Sequence, residues 1–254
     1  MPTFSVRGFG LAAAMGVGLT TVLFTALALA PAVAAVRLRA SGAAGGADVE
    51  RQFVAVQGVL SLAYPVAFLV AAALVMIWMF RARKNTDAFP GFRSSLAAHW
   101  AIAGWWVPVA SLGLPCVVMV GIVRDSLGRA RWQALVAVWW VSWLVFDIGN
   151  LISNLADLQA DVRLAERSAV RDFDHYRDAA LRNCVPALAL LVAGVSLVVL
   201  MLKISTAQHD RISRATSAWP PAGPPPVPAA DPVQPVTGPS PQVATYPTVA
   251  SPQV

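Results

Sequence analysis

The sequence predicts an all-α fold, a multi-pass bundle of transmembrane helices. Four helices span the bilayer, a proline-broken fifth segment accompanies them, and a disordered proline-rich tail closes the chain. Three observations predict this. Of 254 residues, 57% are hydrophobic and 13% charged, against about 25% charged in soluble domains. Four apolar runs are each long enough to cross ~30 Å of hydrocarbon. About a dozen of the 19 prolines fall between Pro220 and Pro252. These set a membrane-embedded helical domain over 1–205 and a disordered tail over 206–254.

The first run extends from Gly8 to Val36 behind Arg7. It reads as a retained helix rather than a cleaved signal peptide, because a signal's apolar core is about 7–15 residues. Ala32-Val33-Ala34 would serve as the cleavage site in the other reading. Gly10, Gly16, Gly18 and Thr20 are small enough to let another helix approach closely. After a polar loop over Arg37–Gln52, a second helix runs from Phe53 to Phe80, with a kink expected at Tyr64-Pro65. It stops at Arg81-Ala-Arg83-Lys84-Asn85, a basic cluster that belongs on the cytoplasmic side. With two crossings before it, the N-terminus is expected to be cytoplasmic too.

The segment Ala97–Val123 is apolar but interrupted. It carries Gly104-Trp105-Trp106-Val-Pro108 and then Gly113-Leu-Pro115. Inside a helix, Pro108 would free the carbonyl of Gly104, and Pro115 that of Ser111. In hydrocarbon such groups survive only against protein, polar side chains or water. The segment either spans with a kink or enters, turns at the prolines and returns to the same face. Tryptophans favour the headgroup level, which suits re-entry. Charge agrees: re-entry places eleven Lys/Arg inside against eight outside, and crossing makes the ratio ten to nine. Re-entry also keeps the C-terminal tail cytoplasmic.

The next helix covers Trp132 to about Ile152. A polar stripe continues from Trp143 through Asp147, Asn150, Asn154, Asp157 and Asp161, spaced four and three apart on one helix face. An ionisable residue at membrane depth is costly unless paired or hydrated. Asp147 and Asn150 are therefore either a polar seam near the headgroups or the lining of a wet vestibule. Apolar residues at helical spacing from Leu155 to Tyr176 predict an extramembrane amphipathic helix over about 155–182. Arg163/Glu166, Asp174/Arg177 and Asp178/Arg182 support it as charged pairs. The last membrane helix is expected from Asn183 through Leu202, with Pro186 in its first turn.

The chain carries a formal charge of +6. That charge suits anionic lipid, and no basic cluster interleaved with aromatics suggests nucleic acid. Cys116 and Cys184 form no CxxC pair, and the three histidines are far apart, so neither a metal site nor a structural disulfide is expected. No phosphate loop, nucleophile elbow, dinucleotide fingerprint or His-Glu-x-x-His pair is present. No cofactor and no catalytic residue is assigned, and an enzyme is not expected. Beyond the bilayer, the expected partners are a protein engaging the proline-rich tail and a second copy of the chain.

The ordered set of Arg81-Ala-Arg83-Lys84-Asn85, Trp100-x3-Gly104-Trp105-x2-Pro108, Leu114-Pro115 and Trp139-Trp140 resembles a bacterial membrane family common in actinobacteria, the domain of unknown function 4328. The resemblance covers most of Phe53–Lys203. It implies a small multi-pass protein with a Pro/Gly-rich extension, and it supplies no activity. Where the family pattern has an Asn before the leucine-proline step, this chain has Ser111, followed by an apolar Cys116-Val-Val-Met-Val-Gly-Ile.

Two functions follow as expectations. One is a non-enzymatic scaffold of the plasma membrane, with the tail as a tether for partners. The other is a small transporter, channel or membrane sensor. It would use the Gly104–Pro115 break as a gate, with Trp105, Trp106, Pro108, Asp147 and Asn150 around it.

Overall fold

The computed structural model describes residues 4–41, 45–87, 96–166 and 173–217. Six α-helices account for most of them: α1 (Arg7–Ser41), α2 (Gly46–Asp87), α3 (Trp100–Trp106), α4 (Leu114–Leu127), α5 (Ala130–Glu166) and α6 (Phe173–Ser217). A 3-10 turn at Ala110–Leu112 separates α3 from α4. Among the described residues, four helices are long and apolar enough to cross a membrane: α1, α2, α5 and α6. Their outward sides carry large apolar groups such as Leu62, Val66 and Leu188. Apolar surface on that scale marks an interface with something other than water.

Each long helix outruns the apolar stretch that announces it. The hydrophobic run marks the part of each helix apolar enough to cross hydrocarbon, while good helix formers on either side carry the hydrogen-bond ladder onward. The segment 155–182 is accordingly not a separate amphipathic element. Its first part continues α5 and its last part opens α6, with residues 167–172 outside the described residues. Asp157 of α5 pairs with Arg182 of α6, so Arg182 serves the helix pair rather than Asp178. Asp174 and Arg177 do pair, at 2.9 Å. Because α6 begins at Phe173, Pro186 lies inside the helix rather than in its first turn. There it packs into the notch left by Gly149 of α5, where an added Cβ would sit 3.2 Å from Pro186 Cγ.

The expected boundary at 205 also moves. α6 runs on to Ser217, because Gln208 and Arg211 bond across to α2 and α4. Residues 218–254, which hold the proline-rich part of the tail, lie outside the described residues.

We call the end of the bundle at Asp87 basal and the end at the α1–α2 connection distal. The main core lies basally, around Trp78, Met79, Met119, Ile122, Trp139, Leu200 and Ile204. A middle cluster joins Phe24 of α1 to Phe146 of α5 and Leu190 of α6. A distal one joins Val49 and Tyr176. Small residues set α1 close to its neighbours. Gly16 lies against Ala71 of α2 and Gly10 against Ser205 of α6, while Gly18 faces open space.

Candidate functional site

The proline-broken segment is a helical hairpin whose two ends meet the same end of the bundle. At its start, the carbonyl of Leu96 accepts a hydrogen bond from Arg83 at 2.6 Å. At its exit, Ser126 Oγ is 3.0 Å from Gln208 Nε2, which also donates to the carbonyl of Ala82. Between them the chain goes in and comes back. The segment thus turns back on itself rather than running on as one kinked helix.

The prolines cause the reversal by ending helices, not by kinking one. The residue before a proline is driven out of the α region, and Val107 has φ −89° and ψ 115°, which terminates α3 at Trp106. Pro108 therefore lies in the turn, where its carbonyl accepts from Ser111 Oγ at 2.7 Å. Pro115 occupies the first turn of α4, where a missing N–H leaves no gap in the ladder. Neither proline therefore strips a hydrogen bond from a continuous helix, in line with the break favoured by the Gly-Pro interruptions. Gly104 makes the hairpin tight, since a Cβ there would lie 3.0 Å from Leu114 Cβ. The turn is anchored by Trp140 of α5, whose Nε1 donates to the carbonyl of Leu112 at 3.2 Å.

The two neighbouring tryptophans part company. Trp105 is half-buried and meets Trp140 and Trp143 edge-on, with ring centroids 6.1 and 6.5 Å apart. Its indole Nε1 is buried with no acceptor. Trp106 is 75% exposed on the outer surface. Above the tip of the hairpin lies a cavity of about 270 Å³, bounded by α1, α2, α3, α5 and α6 and lined by both tryptophans. Phe68 of α2 stacks on Trp143 of α5 across it, 6.1 Å apart and nearly parallel. Asp147 does not line this space. It is exposed, and Asn150 is half-buried one turn further towards the distal end. The break and the acidic residue are therefore not one site.

Sequence reasoning missed the basal polar knot. Asn85, fully buried, exchanges hydrogen bonds with the backbone of Phe4 at 2.7 and 2.9 Å and donates to Gln208 Oε1 at 3.2 Å. Arg83, also buried, bonds Thr86 and Asp87 at 2.7 Å each. Arg211 donates to the carbonyl of buried Asp125 at 2.8 Å, and Trp78 Nε1 donates to Ser205 Oγ at 2.9 Å. Of the basic cluster, Arg83 thus faces inward, while Lys84 is exposed. Arg81 lies over the ring of Phe9, 3.8 Å from its centroid. Polar residues placed just beyond the apolar runs of α2, α4 and α6 were the available signal. Among the described residues, no three His, Cys, Asp or Glu side chains converge in a way that could hold a metal.

The hairpin, the Trp pair and the helices around them fall within residues 40–206, which match the family described as Domain of unknown function (DUF4328). The chain belongs to the DUF4328 family. The match covers α2 through most of α6 and so contains both the hairpin and the cavity of this DUF4328 protein. No curated protein and no solved structure matches the chain.

Proposed function

We propose that this DUF4328 protein is a non-enzymatic scaffold of the bacterial plasma membrane, with its proline-rich C-terminal stretch as the partner-binding arm. The basal knot carries this reading. It ties the N-terminal residues, the end of α2, both ends of the hairpin and the last turns of α6 into one buried hydrogen-bonded unit. A buried network with its groups satisfied rigidifies and fixes one arrangement, which suits a platform better than a gate. The basal end also gathers Arg81, Lys84, Arg129, Arg131 and Arg214 outside the knot. Such an excess of basic residues belongs on the cytoplasmic side. In this reading the N-terminus, the hairpin's ends and the arm all face the cytoplasm.

The transport reading needs Asp147 beside the helix break, and Asp147 is exposed away from it. The test is a paired deletion and substitution in cells. Removing residues 218–254 should collapse the protein's native complex on a blue-native gel to the size of the bundle alone. Asp147→Asn should leave that complex unchanged. A complex that survives the deletion, or an ion or solute flux in proteoliposomes abolished by Asp147→Asn, would rule the scaffold out.

A further inference from the structure

The cavity above the hairpin is the part of a helix slot that the broken segment leaves empty. A spanning helix between α2 and α5 would fill that slot from end to end. Here α3 is 7 residues long, about 10 Å, and the chain then turns back. What remains is lined along α2 from Phe68 to Met76 and along α6 from Leu190 to Leu197. Each stretch is about 10–12 Å at 1.5 Å per residue. A volume of about 270 Å³ is drawn out along that length. That is narrow and elongated, the shape of one extended hydrocarbon chain rather than a ring system.

Three further features point to the same occupant. The lining is apolar apart from Thr20, Thr21 and the indoles of Trp105, Trp106, Trp139 and Trp143, and both threonine hydroxyls are already bonded to carbonyls one turn back in α1. Trp105 Nε1 is left as a buried donor without an acceptor, an arrangement that costs free energy until something accepts from it. The slot also has a side opening, since Leu69 and Trp106 line it and are 66% and 75% exposed. An occupant can enter from the plane of the membrane rather than from water.

We propose that this cavity is a binding site for a single lipid acyl chain, with the chain's ester carbonyl accepting a hydrogen bond from Trp105 Nε1. The chain runs from the hairpin tip towards the Phe68–Trp143 pair and supplies the packing that the missing half-helix would have given. The proposal is independent of the scaffold reading.

The test uses the full-length protein reconstituted in phosphatidylcholine, with ester-linked and ether-linked forms in separate samples, and counts retained lipids by native mass spectrometry. The ether-linked lipid has the same chains and no carbonyl. The wild type should keep one ester-linked lipid per protein after the boundary lipids are stripped. Ala193→Leu and Ala72→Leu place bulk in the slot from α6 and α2 and should each abolish retention. Two fillers on different helices guard against one failing to fold. Trp105→Phe keeps the ring and removes the donor. It should weaken retention of the ester-linked lipid by roughly three- to tenfold, the range one hydrogen bond supplies, and leave the ether-linked lipid unaffected. Equal retention by the wild type and the folded filler variants would overturn the site. An equal effect of Trp105→Phe on both lipids would overturn the role of the donor.

Discussion

Gln208 shows how a single side chain can decide the geometry of one end of this molecule. It is fully buried, and its amide serves the carbonyl of Ala82, Ser126 Oγ and Asn85 Nδ2 at 3.0 to 3.2 Å. Three elements thus share one group. Truncation leaves buried partners unpaired, a loss of about 1–3 kcal/mol for each such group. Gln208→Ala should therefore lower the thermal midpoint in detergent by several degrees. Thr206→Ala, two residues away, removes an exposed hydroxyl bonded only to its own helix at Leu202 and should change it little. Equal shifts for the two variants would show that the knot does not hold the bundle. The polar residues beyond the apolar runs were visible in the sequence but their pairing was not, because Asn85 and Gln208 are 123 positions apart. No local pattern signals which polar residue at a helix end will be buried. The two tryptophans make the same point. Trp105 and Trp106 are adjacent letters, and only the hairpin's packing turns one inward to Trp140 and Trp143 while leaving the other outside.

At the scale of elements, the sequence was a better guide. Apolar runs located all four long helices, and the Gly-Pro interruptions located the hairpin. The boundaries fell short because hydrophobicity reports only the stretch apolar enough to cross a membrane, whereas the helix continues through residues such as Gln52, Arg163 and Arg211 that favour helix without being apolar. The position of Pro186 was misread for the same reason. Helix ends also carry a signal that spacing alone does not reveal. Gly128 closes α4 with φ 62° and donates its N–H to the carbonyl of Val123 at 3.3 Å, the left-handed cap that favours glycine. Gly128→Ala should cost about 1 kcal/mol, since a side chain is strained there. Gly18→Ala has the opposite sign. Gly18 lies mid-helix with open space around it, so alanine should stabilise α1 by up to about 1 kcal/mol. Chemical denaturation of the purified pair checks the contrast, and two changes of the same sign would refute it.

For the whole molecule, four helices are long and apolar enough to cross a membrane, and in the proposed membrane setting the decisive quantity is the number of crossings, because the hairpin would fix the side of everything after it. The structure returns residues 96 and 126 to the Arg83–Gln208 end. α4 has 14 residues and measures about 21 Å, short of the ~30 Å of hydrocarbon a straight span must cover. Both arguments predict four crossings. The prediction is checked by replacing Cys116 and Cys184 with serine and placing single cysteines at Ser41, Ala130 and Ser213, all of which are exposed. Intact cells are then treated with a membrane-impermeant thiol reagent. Four crossings with basic residues inside label position 41 and spare 130 and 213 until the cells are opened. A fifth crossing would move both later positions outside and label all three. That result would put the arm on the cell surface and end the cytoplasmic scaffold. It would also force the short α4 to cross on its own, so the hairpin and its slot would have to come apart together.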